Sequence, residues 1–526
     1  MVQPIVQDQY VAARAYFGAI VGLLFLEGAI RHILLIQSRL QNRKEQHVRH
    51  WRITTLVHRT LTCSLPIPLL TAYSVPDVVR FVIFAALNVI FALNDNQYTT
   101  DYKLYGWLTI ANGGLALLLA ARSNLFSLVL RIPGPVLLQY HRWIGLATVS
   151  HATVHVAFNI MHFVNTDQIA TNLANARIRV GLMAWICLAL IFLTALPIIR
   201  RRYFELFYYT HFLFFVFMVG ALYHTTNGPE FLLPGFSLWV VDRAIRLIYG
   251  FRKITVERVT YYEGDLTKLQ LSGARAAKPG QIVWLQLLGI SFAHWHPFTV
   301  ASVAPDSTSP KSTVAIRGIG GYTLAVQRLV EKPLASDDAP SIVRIRLDGP
   351  YGVGRFNWYD ERLIVLVAGG VGITPGLSIS SSIIHGAANS AMPIRHIYLL
   401  WIVKEVSHIA WFAEELRHLQ TLSNQDTSRV KFNITVHVTR SAVSPENSAM
   451  EMQKPSTTAA DPSWRLERGR PNIQEWFGKI IKEVPNMDAA VNVCGPHDLV
   501  RDVRRASVVE SCHKSLFRVE EESFER

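Results

Sequence analysis

The strongest constraint on the fold of this chain is the series of apolar segments that fills its first half. Only 17% of the 526 residues are charged, against about 25% in an ordinary soluble protein, and this deficit lies mostly before residue 250. Seven apolar windows there have roughly the length that a helix needs to span a bilayer. They lie near residues 15–36, 76–94, 104–121, 141–162, 180–198, 206–224 and 233–250. The sequence therefore predicts a helical membrane half followed by a soluble half.

Basic residues between these windows predict the orientation of the membrane half. The chain carries a net charge of +14, and three basic clusters lie at residues 37–60, 199–205 and 252–253. Seven spans with the N-terminus outside place all three clusters in the cytoplasm, as the positive-inside rule requires. Only Arg177 and Arg179 then lie on the opposite side. Membrane topology accounts for the excess charge better than nucleic-acid binding does, because no basic run accompanies a nucleic-acid motif.

Four histidines occur at matched positions in two of the predicted spans. His141 and His155 are 14 residues apart in the fourth span, and His211 and His224 are 13 residues apart in the sixth, so each pair is separated by about 20 Å along its helix. One span intervenes, so the two helices run parallel, with His141 level with His211 and His155 level with His224. This arrangement predicts two bis-histidine sites at two depths, which suits two haems used for electron transfer.

The helical phase leaves two points open. Fourteen residues return to within about 40° of the same helix face, but thirteen residues miss it by about 140°. The placement of His211 and His224 on one face therefore requires a kink between them or a helix that ends at His224. His151 competes with His155 as the haem ligand from the fourth span.

In the first span, Glu27 and Arg31 are neighbours on one helix face. They form either a mutually neutralised pair or a functional site at membrane depth.

The second half of the chain has the pattern of two soluble domains. Short strand-like segments up to about residue 355 predict a small antiparallel β-barrel. Apolar strands then alternate with helical stretches, which indicates an α/β domain with a parallel sheet. We expect domains at 1–75 (a first span and a basic connection), 76–250, 251–355 and 356–526, with a flexible Ser/Pro/Thr-rich insertion at 441–465.

Four motifs in these domains suggest cofactor binding. The stretch HWHPFTVASVAP (294–305) offers amides, a hydroxyl and an aromatic ring for a flavin, and IRGIGGYT (316–323) offers Arg317 and glycines for a pyrophosphate. The stretch VLVAGGVGITP (365–375) places glycines between an apolar strand and a helix, where phosphates bind. The fourth motif, NVCGPHDLV (492–500), ends another strand with Cys494, either a buried structural thiol or a residue facing the nicotinamide.

Together with the paired histidines, the motifs HPFTVAS, GGYT, DGPYG, VAGGVGITP, LLWIVKE, GRP and CGP resemble the ferric reductase/NADPH oxidase superfamily, with the closest likeness to fungal ferric-chelate reductases. The resemblance implies that His141 and His211 hold an inner haem and that His155 and His224 hold an outer haem. It implies FAD contacts at His296, Pro297, Phe298, Thr299, Arg317, Gly321, Tyr322 and Thr323. It implies NADPH contacts at Gly369, Gly370, Gly372, Thr374, Cys494, Gly495 and Pro496. Thr439, Arg440 and Arg470 are candidates for the 2′-phosphate, or are ordinary exposed charges.

The resemblance further implies an integral plasma-membrane enzyme whose FAD and NADPH domains are cytosolic. Electrons would pass from NADPH through FAD and two b-type haems to an extracytoplasmic ferric or cupric chelate. The alternatives are an NADPH oxidase that reduces oxygen to superoxide, a transporter whose histidines relay protons, and an electron-transfer module on an internal membrane. One departure is the C-terminus: relatives usually end in an aromatic residue that stacks on the flavin, whereas this chain ends EESFER, with Phe524 as the candidate.

Overall fold

A computed structural model describes most of the chain, and it separates into two units. The described residues are 8–43, 52–62, 74–93, 101–122, 124–250, 254–273, 278–291, 294–304, 311–331, 344–352, 354–387, 392–425, 429–440 and 464–522. The helical unit comprises the described residues of 1–32 and 77–245, and the sheet unit comprises those of 33–76 and 246–525. Phe524 and nearly all of the predicted insertion at 441–465 lie outside the described residues.

Helices α1 to α12 account for the first half of the chain. Their bounds are α1 Gln9–Arg43, α2 Arg52–Thr62, α3 Val75–Ala92, α4 Tyr102–Leu119, α5 Leu125–Leu130, α6 Gly134–Asn165, α7 Ile169–Ala174, α8 Ala176–Ala195, α9 Pro197–Arg202, α10 Phe204–His211, α11 Phe214–His224 and α12 Gly228–Gly250. Each predicted apolar window overlaps one of the longer helices or the α10–α11 pair. By length and hydropathy, five of these segments in the described ranges are long and apolar enough to cross a membrane: those of α1, α3, α6, α8 and α10–α11. The number of spans stays a prediction.

Small residues let the helices of the helical unit approach each other closely. A Cβ at Gly114 of α4 would lie only 2.2 Å from the carbonyl oxygen of Phe231 in α12. A Cβ at Gly220 of α11 would lie 3.1 Å from the Cβ of Ala184 in α8. Helices in lipid gain little from hydrophobic burial against each other, so backbone approach at small residues is a principal source of their packing energy. These contacts hold α4 against α12 and α8 against α11, and both α4 and α8 also pack against the histidine-bearing helix α6.

The first domain of the sheet unit is a six-stranded antiparallel sheet. Its strands are β1 Thr255–Tyr262, β2 Leu266–Ser272, β3 Ile282–Leu287, β4 His296–Ala304, β5 Lys311–Arg317 and β6 Ile345–Tyr351, in the order β1-β2-β5-β4-β3-β6. Helix α13 (Gly321–Glu331) follows β5. The apolar side chains of the sheet converge on one core that includes Leu269, Leu285 and Val314, all fully buried. The order and pairing confirm the predicted antiparallel barrel-type sheet.

The second domain is a parallel sheet with helices packed against it. Strands β7 Leu363–Gly369, β8 His396–Val403, β9 Lys431–Val438, β10 Arg465–Arg468, β11 Ala489–Cys494 and β12 Phe517–Glu522 follow the order β10-β9-β8-β7-β11-β12. The helices are α14 Ile373–Ala387, α15 Ala413–Ser423, α16 Ile473–Glu483 and α17 His497–Glu510. The central strands are apolar on both faces, as a sheet covered on both sides requires. This confirms the predicted α/β domain.

Polar contacts join the two domains of the sheet unit. The Trp411 indole N–H donates a 2.7 Å hydrogen bond to the carbonyl oxygen of Glu263, at the turn between β1 and β2. Nearby, Lys268 of β2 forms a 2.6 Å ion pair with Glu415 of α15, and its ammonium lies over the rings of Tyr262 and Phe412. The antiparallel sheet and the parallel sheet therefore meet along a packed edge, which fixes the positions of the motifs described below.

Candidate functional site

The first pair of predicted histidines meets inside the helical unit. His141 of α6 and His211 at the end of α10 have ring centroids 6.2 Å apart. The His141 Nδ1–H donates a 3.0 Å hydrogen bond to the carbonyl oxygen of Ala116 in α4, which fixes the orientation of the imidazole. The Nδ1 atom of His211 is buried and has no hydrogen-bond partner among the described residues.

The second pair lies further along α6 and at the end of α11, the helix that follows α10. His155 and His224 have ring centroids 6.3 Å apart. The Nδ1 of His224 hydrogen-bonds the carbonyl oxygen of Arg177 at 2.8 Å, and the Nδ1 of His155 hydrogen-bonds that of Tyr102. The helix is interrupted between α10 and α11, and His224 is the last residue of α11. Either a kink or a helix end at His224 would satisfy the 13-residue spacing, and the structure has both.

These two pairs fit a metal held between opposed imidazoles. Two imidazoles bonded at about 2 Å to opposite sides of one metal have ring centroids about 6 Å apart. A hydrogen bond from Nδ1 to a backbone carbonyl is the usual outer support of a metal-binding histidine, and it leaves Nε2 free as the ligand. Opposed histidines on a haem iron give a six-coordinate centre suited to electron transfer.

A cavity of about 520 Å³ adjoins the second pair, which we call the His155–His224 cavity. Two glycines keep it open beside the imidazoles. A Cβ at Gly106 would lie 2.9 Å from the ring of His155, and a Cβ at Gly181 would lie 2.7 Å from the ring of His224. Both distances are shorter than any van der Waals contact between these atoms. Sequence reasoning missed these two glycines, because neither belongs to a motif.

His151, the competing ligand, has a different environment. Its Nε2 lies 3.2 Å from the side-chain oxygen of Asn88, which also contacts the Tyr16 hydroxyl. The predicted Glu27–Arg31 pair forms at 2.8 Å, and Arg80 joins it at 3.0 Å from the Glu27 carboxylate. The His151–Asn88 contact is buried and the Glu27–Arg31–Arg80 cluster is partly buried, and both are separate from the facing imidazoles.

The predicted flavin residues lie on β4 and at the start of α13. His296, Pro297, Phe298 and Thr299 belong to β4, and the His296 ring stacks on Tyr322 with centroids 3.8 Å apart. Burial, and secondarily the charge of His294, lowers the pKa of His296 to about 4, so its ring is neutral at physiological pH. The buried Thr299 hydroxyl has no hydrogen-bond partner in the described structure. Strand β4 thus supplies a ring in an aromatic stack and, three residues later, an unpartnered hydroxyl, and a planar polar cofactor can use both kinds of group.

Arg317 and the GGYT turn form the adjoining part of this surface. The Thr323 hydroxyl accepts 2.9 Å hydrogen bonds from the backbone N–H groups of Ile319 and Gly320, which shapes the turn before α13. Open space surrounds the position of a Cβ at Gly321. The Arg317 guanidinium lies 5.5 Å from the ring centroid of Trp411, so it points from the antiparallel sheet toward the second domain. A cation and an exposed glycine suit a pyrophosphate.

The predicted nucleotide residues meet at the carboxyl ends of the neighbouring strands β7 and β11: Gly369, Gly370, Gly372, Thr374, Cys494, Gly495 and Pro496. A Cβ at Gly372 would lie 2.5 Å from the carbonyl oxygen of Cys494, and a Cβ at Gly495 would lie 3.3 Å from the Gly369 nitrogen. Gly370 has φ +56, a conformation that side chains disfavour. Burial raises the pKa of the Cys494 thiol. This edge is where parallel α/β sheets bind nucleotides.

The candidate 2′-phosphate residues lie at the ends of β9 and β10. Arg440 is exposed and lies 3.6 Å from the Glu405 carboxylate, and Arg470 is exposed. A 2.8 Å hydrogen bond from the Gly469 N–H to the carbonyl oxygen of Val438 holds the two short segments that carry these arginines, together with Thr439, side by side.

A partly buried carboxyl at the same edge was missed by sequence reasoning. Glu522 of β12 pairs in register with Cys494, and the Asn492 amide donates a 3.1 Å hydrogen bond to it. Burial, and then the nearby Glu520, raises the pKa of Glu522 to about 8. A Cβ at Gly280 of the antiparallel domain would lie 3.6 Å from its Oε1. Its position depends on the pairing of β12 with β11, which no motif reveals.

Family models of known proteins match three consecutive parts of the chain. Three family models match consecutive segments: the ferric reductase like transmembrane component at residues 105–222, an FAD-binding domain at 250–355 and the ferric reductase NAD binding domain at 361–508. They confirm the predicted resemblance at the level of the superfamily. The closer likeness to fungal reductases stays a prediction.

Curated relatives of two kinds are similar to the chain. Ferric reduction oxidase 2 of Arabidopsis thaliana is 27% identical over 317 residues, which are 58% of this chain and 42% of that protein. NADPH oxidase 1 of Mus musculus is 26% identical over 376 residues, 62% of each chain. The chain thus spans about half the length of these relatives. Among solved structures, the FAD/NAD-binding domain of a Vibrio cholerae nitric oxide dioxygenase aligns at 15% identity with a TM-score of 0.34, covering 52% of this chain and 99% of that one.

Proposed function

Because the chain belongs to the ferric reductase/NADPH oxidase superfamily, with domains for FAD, a nicotinamide nucleotide and haem, we propose that it transfers electrons from NADPH across a membrane. The proposed acceptor is a ferric or cupric chelate on the extracytoplasmic side. The bound flavin and haems supply the redox chemistry, since nicotinamide gives up two electrons as hydride and haem iron accepts one at a time.

The observation that carries this proposal is the spacing of the two imidazole pairs, with ring centroids 6.2 Å and 6.3 Å apart. In the proposal, His141 and His211 hold one haem and His155 and His224 hold the other. A relay of protons requires no such opposed geometry, and it leaves the flavin and nucleotide motifs of the sheet unit without a role. The electron-transfer function uses both halves of the chain.

The residues of the sheet unit have binding and orienting roles in this proposal. His296 and Tyr322 stack to shape the flavin surface, and Arg317 neutralises the pyrophosphate. The glycines at the ends of β7 and β11 allow the backbone to approach the nucleotide closely. Arg440 and Arg470 supply the positive charge that distinguishes NADPH from NADH. From the positive-inside rule we propose that this unit is cytoplasmic, and we propose the plasma membrane as the location.

The test is NADPH-driven reduction of a membrane-impermeant ferric chelate by sealed vesicles of known orientation, with and without superoxide dismutase. A haem difference spectrum is recorded on the same vesicles. We expect reduction that dismutase does not inhibit, and only when NADPH and the chelate are on opposite sides. Absence of haem absorbance would contradict the proposal and favour a proton transporter.

An NADPH oxidase is the second candidate, favoured by the similarity to NADPH oxidase 1 over 62% of both chains. The two functions share every step up to the last electron transfer. Iron reduction that dismutase abolishes would identify oxygen as the true acceptor, because superoxide would then be reducing the chelate. The same vesicle experiment therefore separates the two candidates.

A further inference from the structure

Two cations and no carboxylate line the His155–His224 cavity. Lys103 and Arg177 are its charged lining residues, and no Asp or Glu is among the described residues that form its wall. Both side chains are exposed, and neither forms an ion pair within the described part of the chain. The remaining wall is largely apolar. An anionic group held against this wall would therefore meet Lys103 and Arg177 and no carboxylate among the described lining residues.

Both cations are attached to the backbone segments that orient the imidazoles. The Arg177 carbonyl accepts the hydrogen bond from His224, and Lys103 directly follows Tyr102, whose carbonyl accepts the bond from His155. The backbone of one cationic residue thus lies close to each histidine of the pair. The nearest acidic neighbour in sequence, Asp101, is already engaged, since its carboxylate accepts hydrogen bonds from the Lys103 and Leu104 amides and from Gln9.

The charge at Arg177 also conflicts with the predicted topology. Arg177 and Arg179 lie on the side that the positive-inside rule leaves poor in basic residues. The positive-inside rule therefore does not account for Arg177, which lines the cavity, and recognition of an anion gives its charge a local role. Charge-assisted hydrogen bonds from lysine and arginine to carboxylates are among the stronger polar contacts in proteins, and arginine can form two such bonds at once.

We propose that Lys103 and Arg177 form a carboxylate-binding site at the mouth of the His155–His224 cavity. The carboxylates have two possible sources, those of a ferric chelate that approaches the cavity and the propionates of a haem held within it. The proposal rests on the proposed function, because that function places electron exit at this pair. It adds a substrate class: chelates with a net negative charge are favoured over neutral or cationic acceptors.

The test uses the purified full chain with Lys103→Gln, Arg177→Gln and the double substitution. Arg179→Gln is the matched control, because Arg179 lies on the same helix, is exposed and does not line the cavity. The measurements are haem content, haem midpoint potentials, and KM for ferric citrate and for hexaammineruthenium(III), which is cationic. We expect KM for ferric citrate to rise by about three- to tenfold for each single substitution. KM for the ruthenium complex should stay constant or fall.

The readouts distinguish the two sources of carboxylate. A change in KM for ferric citrate alone, with a weaker dependence of KM on salt than in the wild type, indicates an external chelate. A lower haem content or a shifted midpoint potential, with both acceptors affected equally, indicates the propionates. Either result supports the site. A double variant that matches Arg179→Gln in every measurement overturns it.

Failure of the proposed function is recognised separately. If the wild-type protein reduces no chelate directly and produces superoxide, the proposed acceptor is wrong. The carboxylate site is then judged by haem content, midpoint potential and titration with gallium(III) citrate, a redox-inert anionic chelate. A Soret shift that saturates in the wild type and in Arg179→Gln, but is lost in the double variant, supports the site. A Soret shift of equal size in the wild type, Arg179→Gln and the double variant, with unchanged haem content and midpoint potential, overturns the carboxylate site.

Discussion

The helical unit and the sheet unit hold their candidate cofactor residues in different ways. In the helical unit the four histidines come from three helices, two from α6 and one each from α10 and α11, and backbone carbonyls orient three of them. In the sheet unit the candidate residues are nearly contiguous motifs at strand ends. A site built from distant helices depends on packing, whereas a site built from turns depends on local backbone conformation. The two sites should therefore fail independently, and the predictions below test that independence.

The largest expected effect is the loss of one haem on His155→Ala. Removing one of two opposed ligands leaves the iron without its pair, so haem per chain should fall by about half. NADPH oxidation by an artificial acceptor that takes electrons from the flavin should be unchanged, because the sheet unit is untouched. Haem is measured as its pyridine complex and activity by NADPH absorbance.

His151→Ala is the matched control for this change. His151 lies one helical turn from His155 but contacts Asn88, so its removal should leave the haem content at the wild-type level. Loss of haem in His151→Ala and retention in His155→Ala would reverse our ligand assignment. Loss of flavin-dependent activity in His155→Ala would show that the two units do not fail independently.

A smaller effect on the same site is expected from Gly181→Ala. The added Cβ would lie 2.7 Å from the His224 ring, and contact at that distance forces the imidazole or the helix to move. We expect partial loss of haem, between that of the wild type and that of His155→Ala. Gly145→Ala is the control, since no heavy atom lies within 4 Å of its Cβ position. Equal haem content in both variants would contradict a tight fit at Gly181.

The histidine and glycine substitutions show which parts of the candidate site could be predicted from the sequence alone. The histidine spacing was visible because helices convert residue number into depth, and the glycine motifs were visible because they follow apolar strands. Helical phase could not separate His151 from His155, because residues four apart share a face. Gly106 and Gly181 acquire their role only when α4 and α8 pack beside the imidazoles. Glu522 became notable only through the register of β12, which depends on long-range pairing.

In the sheet unit, the double substitution Arg440→Ala and Arg470→Ala should raise KM for NADPH by about tenfold. KM for NADH should not change, because NADH lacks the 2′-phosphate, and haem content should equal that of the wild type. Arg465→Ala is the control, since Arg465 is exposed but paired with Glu467 at 2.7 Å. Steady-state kinetics with both nucleotides provide the measurement. An equal rise for NADPH and NADH would remove the proposed role of these arginines.

The smallest expected effect concerns the pH dependence of stability and comes from Glu522. Its pKa is about 8 in the folded chain against 4.5 for an unperturbed glutamate, chiefly because of burial, so the folded state holds a proton that the unfolded state loses. Its stabilising contribution is complete below pH 4.5 and is lost as the pH rises to about 8, at a rate of at most about 1.4 kcal/mol per pH unit.

Glu522→Gln should remove this slope, which is measured as the pH dependence of the temperature of flavin release from the purified protein. Glu475→Gln is the control: Glu475 is exposed, and Lys479 lowers its pKa, so it does not titrate in this window. A slope in Glu522→Gln that equals the wild-type slope would show that another group carries the proton. A changed haem content in this variant would instead show that a substitution in the sheet unit affects the haem site of the helical unit. The two sites would then not fail independently, and the contrast between a site that depends on packing and a site that depends on turns would no longer hold.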